Sequence, residues 1–568
     1  LIEQNEVLEN IYWIDFRWAG YFVSVKGDSL HPLELEIFRS YLTLVAPLPM
    51  LVWGLFPSKL LDGNPRLVAH RATGLAAVST WLSLAVIVSV VLFGPCIATL
   101  VQCGPLSFNV YVDNLSSLLL GLVSFLGLVI VRFSRNYLDG DPHQGKFTKW
   151  LCLTIGWVMV LVLSGNLIHF ALAWSATSWC LHRLLIFYPD RPGALLAARK
   201  KFIFSRLGDL CLIGVIFLVY ERFHTWNFDQ LFSAAAALHQ AVGPHTDTTI
   251  QVICYLLVLC ALLKSAQFPF HSWLPDTMET PTPVSALMHA GVINAGGFLI
   301  VRLSPMITLS PGALAVLAVL GGFTALFASL TMLTHASIKR ALAFSTVAQM
   351  GFMMLECGLG AFYLAVLHLM AHSLYKAHAF LSSGNIVAMA KSRWVPEGRS
   401  QSQPGVMFSS LFLSGTLTLG SAWLFSASPL NDPRSFILIF ILLLSQAYML
   451  WNLLGSSLRL SLAVSGALMG LGISLVYFTL HRLFSLLLAS SVTEQSHSWT
   501  GIDTGVGIAL LGLFLVVLFF QTQLPQWEQN RFYKALYVHA RNGFYFTTLA
   551  NLIVMRIWPA QMSASRNK

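Results

Sequence analysis

The chain has 568 residues; 56% are hydrophobic, only 10% are charged, and the formal net charge is +10. A soluble domain carries roughly 25% charged residues, so a soluble enzyme is excluded, as are disordered and fibrous chains. Mean hydropathy is +0.70, and the apolar residues fall in blocks of about 20, the length that crosses a bilayer core.

These blocks lack the alternation of outer-membrane strands, so the expected class is an all-α polytopic membrane protein. In a soluble protein a charge of +10 would suggest nucleic acid; here it fits the Lys and Arg that gather in cytoplasmic loops, and no nucleic-acid partner is expected. The eight cysteines show no CxxC spacing and read as packing residues rather than a zinc site or disulfide framework.

Residues 1–37 are polar and acidic, with Glu3, Glu6, Glu9, Asp15, Asp28, Glu34 and Glu36 against Arg17 and Lys26. They lack a signal peptide's basic start and short apolar core and read as an external segment. The chain opens on Leu1, from an unusual start codon or a truncation. Spans are expected at 38–56 and 73–101, within an N-terminal pair covering 38–107. A core, 108–390, holds spans at 108–131, 150–164, 166–188, 202–220, 250–268, 285–303, 312–334, 340–357 and 361–390, with 221–249 as a short external helix or loop. A C-terminal block, 391–520, holds spans at 406–427, 434–455, 460–480 and 504–520. The tail, 521–568, reads either as an amphipathic interfacial helix containing Trp527, Arg531, Tyr533 and Lys534 or as a solvated tail. The total is 14 or 15 spans, the division around Gly358-Leu359-Gly360 being open.

Basic residues follow the odd-numbered spans: Lys59, Arg66 and Arg71; Arg132, Arg135, Lys146 and Lys149; Arg191, Arg199, Lys200, Lys201 and Arg206; Lys339 and Arg340; Lys391, Arg393 and Arg399. By the positive-inside rule that face is cytoplasmic, which places the N-terminus outside and the tail inside.

Ionisable side chains at membrane depth cost a few kcal/mol or more and mark functional paths by default. Lys264 ends the apolar run ICYLLVLCALLK and precedes Pro269, which removes a backbone donor and implies a broken helix beside buried protein or a watery cavity. Spacing alone leaves two readings: a buried lysine that exchanges a proton because desolvation weakens its hold, or one that snorkels to the interface. His368, His372 and Lys376 lie at i, i+4 and i+8, on one helix face. Neutral imidazoles can relay protons; the alternative is histidines bonded to neighbouring helices. A lysine one turn on disfavours a metal, and neither a metal nor another cofactor is expected.

The segments KSAQFPFHSWLPDTMETPTPVSALMHAGVI (264–293), IKRALAFSTVAQMGFM (338–353) and HLMAHSLYKAHAFLSSGNI (368–386) resemble the antiporter-like, proton-translocating membrane subunits of complex I and Mrp antiporters. So do VDNLSSLLLGLVSFLGLVIVRFSRNYL (112–138) and KKFIFSRLGDL (200–210). The resemblance implies inverted repeats with broken helices. It also implies a proton path through Lys264 on the seventh helix, His289 on the eighth, and His368, His372 and Lys376 between half-channels. Arg206 and Asp209 match the family's RxGD motif, and Lys339 and Arg340 its KR pair.

Three departures narrow the resemblance. Ser175 takes the place of the family's fifth-helix glutamate, which pairs with the seventh-helix lysine; Ser337 replaces an acidic residue; and 411–433 contains no lysine where the family's twelfth helix has one. The long lateral helix of the complex I subunit is not expected in this chain. The pattern resembles the membrane subunit of the DAB inorganic-carbon accumulation complex of autotrophic bacteria. That implies a multi-pass subunit of the bacterial inner membrane, conducting protons or Na⁺. The implied partner is a large cytoplasmic, zinc-containing, carbonic-anhydrase-like subunit, with catalysis there rather than here. The alternative is an ion-translocating subunit of a complex I-type or Mrp-type assembly.

Overall fold

The computed structural model describes residues 32–103, 106–242, 247–384, 404–425, 433–454, 460–492, 501–523 and 530–558. Most of the acidic N-terminal segment, the basic stretch with Lys391, Arg393 and Arg399, and Trp527 in the tail lie outside the described residues. The remainder is helical apart from one hairpin, as lipid demands of a chain that must satisfy its backbone polar groups internally.

The chain enters through α1 (Pro32–Val45) and α2 (Leu48–Leu55), bent by 43° at Ala46-Pro47. The short α3 (Ser58–Asp62) and long α4 (Pro65–Phe93) follow. The expected second span breaks at Gly94: residues Cys96–Cys103 and Leu106–Val112 form antiparallel strands β1 and β2, with Cys96 opposite Val112. Sequence expectation carried the second span to 101 and began the third at 108, so both boundaries are corrected. β-Branched residues between two Gly-Pro pairs, 94–95 and 104–105, favour a strand pair over helix.

The core then runs through α5 (Asn114–Tyr137), α6 (Gln144–Leu163), α7 (Leu167–Leu185), α8 (Pro192–Phe223), α9 (Phe228–Val242) and α10 (Thr248–Lys264). A broken region of 3₁₀ turns leads to α11 (Thr282–Ala290), α12 (Ala295–Arg302) and α13 (Ser304–Ile307), then α14 (Pro311–Leu333), α15 (Ile338–Gly358) and α16 (Phe362–Leu381). The turn between α15 and α16 uses Gly360 at φ +76°, a conformation that favours glycine. After them come α17 (Pro404–Leu424), α18 (Pro433–Leu454), α19 (Leu460–Leu488), α20 (Gly501–Gln523), α21 (Arg531–Arg541) and α22 (Phe546–Ile557). The polar segment 221–249 contains the end of α8 and all of α9.

Among the described residues, ten helices are long and apolar enough to cross a membrane, or eleven with the bent α1–α2 pair as one span. Expected spans outside that set include α7, which carries His169, His182 and Arg183; α10, which stops at Lys264; and α16, which carries the histidine stripe. Their polar cargo or early ending removes them from an apolar count.

One continuous buried core reaches from Ala46 to Phe380 and takes in Phe484, Leu488 and Val492 at and beyond the end of α19, while α17, α18 and the rest of α19 close smaller clusters. Helices α14 and α15 approach through small residues: a Cβ on Gly321 would lie 2.6 Å from the Leu355 amide nitrogen, so glycine is required for this close crossing. At one end of the bundle Arg66 pairs with Asp139 at 3.1 Å, the Lys146 amide donates to Asp62 at 2.7 Å, and Tyr188 donates to Asp141 at 2.8 Å. The early basic connections therefore share one face. Arg199, Lys200, Lys201 and Arg206, expected in a loop, instead lie in α8, with Lys200 and Lys201 buried.

Candidate functional site

The first half of the site forms where α10 ends. Ser265 caps the helix, Ala266 takes φ +51°, and the Phe268 amide leaves the helical ladder to donate to Thr324 Oγ1 at 3.1 Å. The break at Pro269 therefore satisfies freed backbone groups within the protein, as required at membrane depth. Lys264 is 8% exposed, so the snorkelling reading is overturned.

Lys264 is also not unpaired. Its Nζ is bonded to Asp209 Oδ1 on α8 and lies 4.2 Å from the centre of the Trp174 ring, a cation–π placement. The other Asp209 oxygen pairs with Arg206 at 2.7 Å. The carboxylate that Ser175 leaves missing from the fifth helix is thus supplied across the interface by Asp209. Gly208 makes this approach possible, because a Cβ there would lie 2.8 Å from Lys264 Cε and 2.9 Å from its Cγ. Gly208→Val should displace Lys264 and suppress transport while removing no charge. Comparing transport and membrane abundance in Gly208→Val and Gly208→Ala tests this, with the larger loss expected for valine.

Sequence reasoning missed two further lysines on α8. Lys201 Nζ donates to Ser178 O at 2.9 Å and Ser178 Oγ at 2.8 Å, close enough to Lys264, Arg206 and Asp209 to feel their charges. Lys200 is fully buried and pairs with Asp276 in the broken region. A dilysine in a basic run resembles a loop; the signal that could have found it is the i, i+4, i+8 relation of Lys201, Ser205 and Asp209 on one helix face.

The second half centres on α16. His372 is 4% exposed and Lys376 is fully buried. Lys376 Nζ donates to Ser345 Oγ at 2.7 Å and Leu342 O at 3.2 Å. His289 on α11 is fully buried, shares a hydrogen bond with Thr346 Oγ1 at 3.1 Å and stacks on Phe380 at 4.3 Å. His368 lies between Glu356 Oε2 and Gln349 Oε1, each at 2.9 Å. Lys339 is peripheral, half-exposed and within 3.2 Å of Thr282 Oγ1.

Polar side chains join the two halves. Ser265 Oγ donates to Ile293 O at 2.8 Å. The next residue, Asn294, donates to Ser373 Oγ at 2.7 Å, beside His372. His289 Nε2, Asn294 Oδ1, and both ring nitrogens of His271 and His372 are buried without a protein hydrogen-bond partner. Such groups call for an explanation; those of His289 and His372, close to Lys376, are chemically suited to carrying protons. Of the expected residues, the structure brings Arg206, Asp209 and Lys264 into one cluster and His289, His368, His372 and Lys376 into a second; Lys339 stands outside both.

The family described as NADH:quinone oxidoreductase/Mrp antiporter, transmembrane, matches residues 164–422. That described as NADH-ubiquinone oxidoreductase (complex I), chain 5 N-terminus, matches 101–148. A probable inorganic carbon transporter subunit DabB2 from Halothiobacillus neapolitanus is 39% identical over 466 residues, covering 82% of this chain and 83% of that protein. A probable subunit DabB from Hydrogenovibrio crunogenus is 37% identical over 457 residues, covering 79% and 84%. The Mrp complex from Dietzia sp. DQ12-45-1b shares the fold, with TM-score 0.56 and 20% identity, covering 93% of this chain and 60% of that one.

Proposed function

Because this chain belongs to the family of antiporter-like membrane subunits of complex I and Mrp type, in which the DabB subunits are its relatives over about four-fifths of its length, we propose that it conducts a cation to drive inorganic-carbon uptake. The observation that carries the reading is the pair of buried charged clusters, Lys264–Asp209–Arg206 and His289–His372–Lys376–His368, joined through Ser265, Asn294 and Ser373 across the broken helix. The cation passes from one cluster to the other through the joining polar groups. The face bearing Arg66, Lys146 and Arg340 is cytoplasmic, by the positive-inside rule, and the membrane is the bacterial inner membrane.

The subunit itself is not the catalyst. It couples the gradient to a cytoplasmic, zinc-containing, carbonic-anhydrase-like partner that hydrates CO2 to bicarbonate in one direction. The energy suffices: one charge crossing is worth about 2.3 kcal/mol per 100 mV, so a gradient of roughly 150 mV supplies about 3.5 kcal/mol, a bias of a few hundred-fold.

The test is to co-express the chain with the product of its neighbouring gene in a carbonic-anhydrase-deficient bacterium. Growth in ambient air that stops when the gradient is collapsed supports the proposal; failure to rescue, or rescue indifferent to the gradient, contradicts it. The second reading, an ion-translocating subunit of a complex I-type or Mrp-type assembly, is favoured by the family match over 164–422. It requires cation exchange in vesicles that is indifferent to inorganic carbon, and co-purification with other antiporter-like subunits.

A further inference from the structure

A conducting path must reach the membrane surface at both ends, and one end is marked by a buried carboxylate that the reading above does not use. Glu356 occupies the last turn of α15 and is 6% exposed. Helices α15 and α16 form a hairpin, so Glu356 lies at the end opposite Lys339 and Arg340. Among the described residues its ion-pair partner is His368, at 2.9 Å. Leu355 and Leu359 pack around this end in an apolar cluster with Leu364, Ile437, Leu438 and Leu510, and with Tyr477. Arg434 Nη1 also reaches the turn, 3.1 Å from the place a Cβ would occupy on Gly360.

The stripe on α16 leads to this carboxylate. Successive i, i+4 residues rise about 6 Å along a helix, so Lys376, His372 and His368 step toward the turn and Glu356 is the next ionisable group. The His368 and His372 rings lie 6.2 Å apart, centre to centre, a separation that one water can bridge. His372 has two unpartnered ring nitrogens to serve such a bridge. His368 presents one nitrogen to Glu356 and the other to the exposed Gln349 of α15, each at 2.9 Å.

We propose that Glu356 and His368 form the proton-admitting terminus of the path, on the face opposite Arg340, and that the transported cation is therefore H⁺. Glu356, protonated at the turn, passes its proton to His368 Nδ1 as the Nε2–H of His368 leaves through a bridging water toward His372. The carboxylate then takes up the next proton at the α15–α16 turn, and ring rotation or tautomer exchange returns His368 to its Nε2–H form. One proton enters and one leaves, with no other reactant. A pathway of imidazole and ammonium nitrogens ending in a histidine-bonded carboxylate carries protons by exchange, whereas Na⁺ requires oxygen ligands throughout.

The proposal rests on the conduction reading, and the experiment separates the two. The complex, purified through a tag on this chain, is placed in vesicles and proton uptake is followed with an internal pH dye under an imposed potential, with membrane abundance measured. Glu356→Gln keeps a hydrogen-bonding partner for His368 but cannot carry a proton; it should lower flux by about a hundredfold, while Glu356→Asp retains part of it. Wild-type flux should persist when Na⁺ is replaced by choline. Full flux in Glu356→Gln overturns the terminus, and flux that requires Na⁺ overturns the cation assignment. Lys264→Met distinguishes the deeper failure: if it too conducts fully, the conduction reading itself falls. Should Glu356→Gln be absent from the membrane, His368→Gln must show the same loss, and full flux in it overturns the proposal.

Discussion

Replacing Lys264 with alanine should reduce gradient-driven carbon uptake by about a hundredfold while leaving the protein in the membrane. The substitution removes the ammonium that bonds Asp209 and sits over Trp174. It leaves Asp209 paired with Arg206 at 2.7 Å, so no carboxylate is stranded and folding should survive. Asp209→Asn is the informative companion: it leaves Lys264, Arg206 and nearby Lys201 without their shared anion, and should lower both uptake and abundance. Uptake and immunoblot quantification of both variants check this. Wild-type uptake by a well-expressed Lys264→Ala variant would refute the role assigned to the lysine.

The largest effect on stability is expected far from that lysine. Arg302, at the end of α12, forms a two-pronged pair with Asp113, which caps α5: the distances are 2.8 and 3.1 Å, with the side chains 1% and 2% exposed. Asp113 also accepts from the Ser116 amide at 2.9 Å. Removing one member of such a pair strands a buried charge and costs about 3–5 kcal/mol. Arg302→Met should therefore lower the melting temperature of the purified protein sharply, and Asp113→Asn combined with Arg302→Met should recover much of the loss. Equal destabilisation in single and double variants would show that packing, rather than the stranded charge, governs this site.

The helical class and the residues of the path were legible because both rest on local pattern. Apolar block length announces spans, Pro269 after Lys264 announces the break, and the four-residue spacing of His368, His372 and Lys376 announces a shared face. What depended on contacts between distant segments was not legible. With Ser175 where the family's pairing glutamate stands, the sequence leaves Lys264 without a carboxylate, whereas the fold brings it Asp209 from α8. Asp113 and Arg302 are 189 positions apart, and nothing local links them. Glu356 stands alone in the apolar run MMLECGLG, where a single acid carries no periodic signal; its meaning appears only when the α15–α16 hairpin places it on His368. The strands β1 and β2 were absorbed into spans because their residues are as apolar as a helix in lipid, although the Gly-Pro pairs at 94–95 and 104–105 marked the breaks.

Vesicles containing the purified complex, loaded with buffer and given external CO2, test most directly whether ion flow through this chain drives carbon accumulation. Internal bicarbonate should rise above equilibrium only while a gradient is imposed, and should return to the equilibrium level when an ionophore collapses it or when Lys264→Ala replaces the wild-type chain. Accumulation above equilibrium that continues without a gradient, or that is undiminished by Lys264→Ala, would contradict the account.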